Sequence, residues 1–113
     1  MHEYSVVQSL LDLCEEHAKA NNCTKITKVV IKIGVMSGVE PQLLSVAFDT
    51  FKEKTICDEA ILEMIIQKLK LKCNICDFND EIENRVYLCP RCKSSMISIE
   101  DGEDAYLMSL EME

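Results

Sequence analysis

Four cysteines in two CxxC pairs, Cys73-Asn74-Ile75-Cys76 and Cys89-Pro90-Arg91-Cys92, constrain this chain more than any other feature, and twelve residues separate the pairs. A single CxxC is ambiguous between redox chemistry and metal binding. Two pairs at this spacing bring four thiolates to one tetrahedron, the arrangement of a zinc ribbon. Four thiolates fill the coordination sphere, so Zn²⁺ there is structural rather than catalytic. A ribbon of about thirty residues is too small to fold on an apolar core alone, and its folding is expected to couple to metal binding.

At 113 residues the chain is one small domain, or one domain carrying a small insertion. No basic stretch followed by an apolar run opens it, so no signal peptide is expected. The apolar runs are too short to span a membrane. Seven cysteines without a secretion signal point to the reducing cytosol, hence a cytoplasmic location. The net charge of −8 argues against a nucleic-acid partner, which calls for a cationic surface. Within the ribbon, Lys72, Arg85, Arg91 and Lys93 are offset by Asp77, Asp80, Glu81 and Glu83. Cys14, Cys23 and Cys57 lie outside the ribbon and read as free thiols.

Residues 4–20 read as an amphipathic helix, with Val7, Leu10, Leu11, Cys14 and Ala18 at three- and four-residue steps. Asn21-Asn22 is expected to end it. Residues 26–33 alternate as a half-buried strand, with Val29, Ile31 and Ile33 on one side and Lys28 and Lys32 on the other. Pro41 suits the first position of a second helix, with Leu44, Ala47, Phe48 and Phe51 as its apolar stripe and Glu40 at its N-cap. Residues 61–72 read as one strand whose phase flips. Leu62, Met64 and Ile66 share a face, and then Leu69 and Leu71 oppose Lys68, Lys70 and Lys72. Such a flip implies a bulge or a change of surroundings just before the ribbon. After an Asp101-Gly102 turn, Tyr106, Met108, Leu110 and Met112 alternate as a closing strand. The expected fold is α+β: a small β-sheet with two helices on one face, and an inserted zinc-ribbon domain bracketed by the last two strands. The body takes residues 1–70 and 101–113, and the ribbon 71–100.

The opening, Met1-His2-Glu3, offers a second chemistry. A free α-amine at Met1 and the amide nitrogen of His2 close a five-membered ring on a metal. That amide nitrogen and the His2 imidazole Nδ1 close a six-membered one. Three nitrogens in a plane suit a metal that accepts square-planar or tetragonal geometry, Ni²⁺ or Cu²⁺. Glu3 adds a carboxylate and a further amide nitrogen. A histidine on a frayed terminus is the competing reading of the same residues.

Taken together, the opening Met1-His2-Glu3-Tyr4-Ser5, the amphipathic helix behind it, the two late CxxC pairs and the ending Leu107-Met108-Ser109-Leu110-Glu111 resemble the hydrogenase maturation factor HypA/HybF family over essentially the whole chain. The resemblance implies a nickel metallochaperone that delivers Ni²⁺ during assembly of [NiFe]-hydrogenase. The expected partners are the nickel-handling GTPase HypB, the hydrogenase large-subunit precursor and, in some bacteria, a urease accessory protein. It implies nickel at Met1, His2 and Glu3, with Glu40 at a position where some members carry a carboxylate implicated in nickel binding. It implies zinc at Cys73, Cys76, Cys89 and Cys92. Some members have a His beside a CxxC pair; here Cys76 is followed by Asp77 and Cys92 by Lys93. The other histidine, His17, lies in the last turn of the first helix, where it suits the helix dipole.

Two other functions compete with nickel delivery. A zinc-ribbon adaptor would bind protein partners and make the opening incidental. A thiol oxidoreductase would need CxxC at a helix start in a thioredoxin-like order, which these pairs do not have. The chain shows no nucleophile–base pair and no Gly-rich phosphate loop, so it does not read as an enzyme.

Overall fold

Helix α1 (His2–Ala20) forms where the three- and four-residue apolar spacing runs, and its buried side chains Val7, Leu10, Cys14 and Ala18 all fall on that stripe. The computed structural model describes residues 2–113, the side chain of residue 2 excepted. The helix stops at Asn22, which sits in the left-handed region at φ 55° while the N–H of Cys23 reaches back to the carbonyl of Ala18 at 2.9 Å. Asparagine tolerates that conformation better than most side chains, so the pair Asn21-Asn22 is a helix stop with a mechanism.

Strand β1 (Ile26–Gly34) follows, then α2 (Pro41–Phe51) and β2 (Ile61–Gln67). β1 is the centre of a three-stranded sheet, parallel to β2 and antiparallel to the final strand of the chain. Val29, Ile31 and Ile33 of β1 meet the buried faces of both helices, including Leu44 and Phe48 of α2, in one core. Burying one such side chain is worth about 1.5–3 kcal/mol, so this cluster is the main source of the body's stability. Both helices therefore lie on one face of the sheet, as the sequence predicts.

The stretch 61–72 is not one strand. β2 ends at Gln67 and β3 (Leu69–Cys73) begins after Lys68 in a different sheet, of order β4-β3-β5. The phase flip is the change of sheet: Leu69 and Leu71 leave the first core and become fully buried in a second. That second sheet includes β4 (Asn79–Ile82) and β5 (Ile97–Asp101), both antiparallel to β3. Its core has only Leu69, Leu71 and Ile82 buried, with Val35 and Met36 from the loop after β1 packed against it.

The closing strand β6 (Ala105–Met112) differs from expectation in two ways. It does not pair with β2; each flanks β1 on its own side, and the antiparallel pair that brackets the cysteines is β3 with β5. Its facing also changes part-way. The register steps from Val30↔Ser109 to Ile31↔Leu107, leaving Met108 as an extra residue. The bulge puts Leu107, Leu110 and Met112 against the core and leaves Tyr106 and Met108 exposed. Ile66 and Phe51, both expected inside, are also exposed.

The two sheets join where three chain segments cross. A Cβ on Gly34 would lie 2.3 Å from the backbone of Gly102, and one on Gly102 would lie 2.7 Å from the Cα of Leu69. Hydrogen bonds lace the crossing: the N–H of Met36 to the carbonyl of Gly102 at 2.8 Å, and that of Val35 to Gln67 at 2.9 Å. The buried Gln67 amide donates to Glu81 of β4 at 2.7 Å.

Candidate metal centres

Cys73 is the last residue of β3, and the chain turns at once, with the N–H of Asn74 bonded to the carbonyl of Met96 at 2.9 Å. The two CxxC segments then build the same local structure. The N–H groups of Ile75 and Cys76 donate to the Cys73 sulfur at 3.4 Å, and those of Arg91 and Cys92 donate to the Cys89 sulfur at 3.4 Å. The residue after each pair, Asp77 and Lys93, has positive φ, 63° and 66°. Both serve as left-handed corners.

The four sulfurs converge. Cys73 and Cys92 are 3.6 Å apart, Cys76 and Cys89 are 3.5 Å apart, and all four atoms lie within 4.8 Å of one another. Zn–S bonds of about 2.3 Å place tetrahedral sulfurs about 3.8 Å apart, so the donor set fits a thiolate-bound tetrahedral ion. The protons are shared unevenly. The N–H of Cys76, with that of Ile75 and the neighbouring thiols, lowers the Cys73 pKa against desolvation. Desolvation opposes the Cys89 thiolate, but the N–H groups of Cys92 and Arg91 and the sulfurs nearby outweigh it and bring its pKa down to about 6. The other two go the opposite way. The N–H of Phe78 favours the Cys76 thiolate and that of Ser94 favours Cys92, yet desolvation and adjacent sulfurs prevail; Cys76 rises and Cys92 is pushed up to about 12. Each half of the cluster thus holds one thiol ready to ionise and one that a metal must deprotonate.

Met1 and the His2 side chain lie outside the described residues. Glu3 is described. Its Oε2 accepts the backbone N–H of Glu40 at 3.1 Å. Glu40 is the N-cap of α2, in extended conformation at φ −90° and ψ 114°, and its own side chain makes no capping bond. Glu3 does from another helix what the third residue of a capping box does from its own. The next residue, Tyr4, packs edge-on against Phe51 with ring centroids 4.7 Å apart. Consecutive residues at the start of α1 therefore engage both ends of α2. The sequence names Glu3 and Glu40 as site residues, but that this contact uses the backbone of Glu40 has no signature at a separation of 37 residues.

Cys14 and Cys57 also come together. Both are fully buried in the main core and hydrogen-bonded to each other, whereas the sequence reads them as unrelated thiols. The bond to Cys57, with burial, raises the Cys14 pKa far above an ordinary thiol, which keeps it protonated.

The family model described as "Hydrogenase/urease nickel incorporation, metallochaperone, hypA" matches residues 1–112. The hydrogenase maturation factor HypA of Shewanella baltica (strain OS195) is 52% identical over 113 residues, covering 100% of this chain and 97% of that protein. HypA of Aquifex aeolicus is 53% identical over 113 residues, covering 100% and 98%. The solution structure of the Ni metallochaperone HypA from Helicobacter pylori superposes with a TM-score of 0.75 at 41% identity, covering 97% of this chain and 96% of that one.

Proposed function

Because the chain belongs to the HypA family of nickel-incorporation metallochaperones, which act in hydrogenase maturation, we propose that it binds one Ni²⁺ at its N-terminus and releases it during assembly of a [NiFe]-hydrogenase. The donors in this reading are the Met1 amine, the His2 amide nitrogen and imidazole Nδ1, and groups of Glu3. The observation that carries it is the bond from Glu40 N–H to the Glu3 carboxylate. It ties the residue next to the chelating dipeptide to the start of α2, so the nickel end of the chain has a fixed neighbour. In this reading Glu40 adds its carboxylate as the weakest contributor.

Cys73, Cys76, Cys89 and Cys92 hold a structural Zn²⁺ in the same reading, supported by the convergence of their sulfurs. The ion supplies the ribbon, residues 71–100, with cohesion that the small cluster of Leu69, Leu71 and Ile82 cannot. Residues 1–70 and 101–113 carry nickel. Delivery runs through the nickel-handling GTPase HypB to the hydrogenase large-subunit precursor in the cytoplasm, and in some settings to a urease accessory protein. Among the described residues no helix is long and apolar enough to cross a membrane.

Calorimetric titration of the zinc-loaded chain with Ni²⁺ tests the proposal. One site is expected, lost in His2→Ala with zinc content and circular dichroism unchanged. Nickel bound equally well by His2→Ala would remove the N-terminal site and leave the adaptor reading in its place.

A further inference from the structure

Of the seven cysteines, four converge on the ribbon site and Cys23 stands half-buried just past the end of α1. The two that remain meet in the body core. Cys14 comes from the apolar stripe of α1, and Cys57 from the segment between α2 and β2. Both side chains are wholly removed from solvent and joined by a hydrogen bond. One buried cysteine behaves as a small apolar side chain and says no more than that. Two in contact are a dithiol, with two electrons to give up.

Their surroundings tell the two apart. Cys14 is fixed in a helix, whereas Cys57 sits in a run of turns over 52–59. The carbonyl of Cys57 accepts the N–H of Ala60 at 2.9 Å, and its own N–H donates to Thr55 Oγ1 at 3.1 Å. Lys52 is held over these turns: its Nζ donates to the carbonyl of Ala60 at 2.9 Å and pairs with Asp49 at 3.3 Å. The hydrogen bond from Cys14 lowers the Cys57 pKa against desolvation, and the Lys52 ammonium adds to it against the Glu15 carboxylate. Cys57 is therefore the thiol that ionises first, and Cys14 the one that keeps its proton.

A cleft of about 240 Å³ opens between the same two segments. Leu11 and Glu15 line it from α1, on either side of Cys14, and Thr55 and Ile56 line it just ahead of Cys57. Turns open locally at lower free energy than the helices and strands around them, so this is the side from which a small solute reaches the sulfurs.

We infer that Cys14 and Cys57 are a redox latch: a hydroperoxide oxidises them to a disulfide that pins the turns 52–59 to α1. The Cys57 thiolate attacks the peroxide, an S–O bond forms, and the O–O bond breaks. The alkoxide that leaves takes up the proton lost from Cys57 and departs as an alcohol (water, when the oxidant is hydrogen peroxide). The Cys14 sulfur then attacks the Cys57 sulfenic acid, the S–S bond forms, and hydroxide leaves with the Cys14 proton as water. The two sulfurs are oxidised by two electrons together and the peroxide is reduced by two. No step involves nickel or zinc, so the latch stands apart from the metal the chain carries.

Mass spectrometry of the full zinc-loaded chain, treated with hydrogen peroxide at neutral pH, alkylated and digested without reductant, tests this. The expected product is one pair of peptides cross-linked through Cys14 and Cys57, with zinc still bound and Cys23 outside the link. Dithiothreitol is expected to restore both thiols by exchange. Hydrogen exchange at 52–59 is expected to slow in the oxidised chain. In Cys14→Ser the attacking thiol has no partner, so dimedone is expected to label Cys57; in Cys57→Ser, Cys14 is expected to stay unlabelled. If both thiols alkylate in full once the peroxide-treated wild type is unfolded, the inference is overturned, and that measurement needs no variant. A link from either residue to Cys23 or to a ribbon cysteine overturns it, as does a Cys14–Cys57 link that forms only in denaturant. Label on Cys14 in Cys57→Ser, or exchange at 52–59 unchanged by the link, overturns it too.

Discussion

The Glu3 carboxylate accepts the backbone N–H of Glu40, 37 positions away in the chain. The bond is indifferent to the side chain of Glu40 and dependent on that of Glu3. Glu3→Ala is therefore expected to cost about 1 kcal/mol of stability, the ordinary net worth of such a bond, and to weaken nickel binding. Glu40→Ala keeps the bond and is expected to have the smaller effect on both. Thermal denaturation and nickel calorimetry on the two variants check the order; a larger loss in Glu40→Ala would mean that its carboxylate, not its amide, organises the site.

An N-terminal extension is expected to weaken nickel binding far more than a C-terminal tag of the same length. A Gly-Ser remnant before Met1 converts the α-amine into an amide and removes the first donor. The free amine titrates near pH ~8, so affinity at the native terminus is expected to fall as pH is lowered through 7 and 6, where protons compete with the metal. Equal affinities for extended and native chains at one pH would refute the chelate.

Zinc binding is expected to release protons near pH 7, since the metal ligands must be thiolates. Cys73 and Cys89 are shifted downward, Cys89 to about 6, so at neutral pH they are the thiols nearest to ionised. Cys76 and Cys92 are shifted upward, Cys92 to about 12, and must give up protons to the solvent as the metal binds. Apparent affinity should thus rise with pH through the neutral range and fall steeply below pH 6, where Cys89 also protonates. Competition with a chelator of known pH dependence measures the slope; a flat profile between pH 6 and 8 would contradict the thiol assignments.

Gly34→Ala is expected to destabilise the protein by about 2–3 kcal/mol, as over-packing does in a fixed interior. The new methyl would lie 2.3 Å from the Gly102 backbone, which cannot swing aside as a side chain can. Gly38→Ala provides the contrast. Gly38 has φ 80° with nothing within 4 Å of an added Cβ, so only the backbone penalty of about 1–2 kcal/mol applies. Chemical denaturation of the two variants separates a steric from a conformational cost.

Cys14→Ser is expected to cost about 1–3 kcal/mol, because it buries a hydroxyl in the main core beside Cys57. Cys23→Ser, at a half-buried site, is expected to be nearly neutral. The triple variant at 14, 23 and 57 should keep stoichiometric zinc and nickel, measured by elemental analysis on the folded fraction. Loss of either metal without unfolding would show that one of these thiols is a ligand.

The helices and the central strand were readable because their apolar spacing carries through to burial: Val7, Leu10 and Cys14 on α1, and Val29, Ile31 and Ile33 on β1. The paired CxxC was readable because metal chemistry fixes its spacing. The phase flip at Lys68 was visible, but a flip alone does not say whether a strand bulges or changes sheets; here it changes sheets. β6 misled because an alternation of apolar residues continues through Met108, and only the neighbouring strand reveals the extra residue. β4 escaped because Asn79, Asp80 and Glu81 give it no apolar rhythm, and β5 because its alternation is only Ile97 and Ile99 before Glu100 and Asp101. The meeting of Cys14 with Cys57 and of Glu3 with Glu40 depends on how α1 packs against α2 and the turns that follow it, which no local pattern encodes.

The crossing at Gly34, Gly102 and Leu69 casts the ribbon as something other than an attachment. β2 runs toward the same end of the sheet at which β1 finishes, and β6 starts back from that end on the far side of β1. Whatever joins them has to bridge two strand spacings, about 10 Å, over the tip of the middle strand. A short turn would suffice for that span, and the body's register asks for nothing longer. The ribbon is therefore that bridge, enlarged: a loop the body requires in any case, grown until it closes around an ion. Trimming it back to a few residues between Gln67 and Ala105 should leave a foldable three-stranded body. The glycine at position 34 would then lose its reason to be glycine, since the Gly102 backbone it clears would be gone.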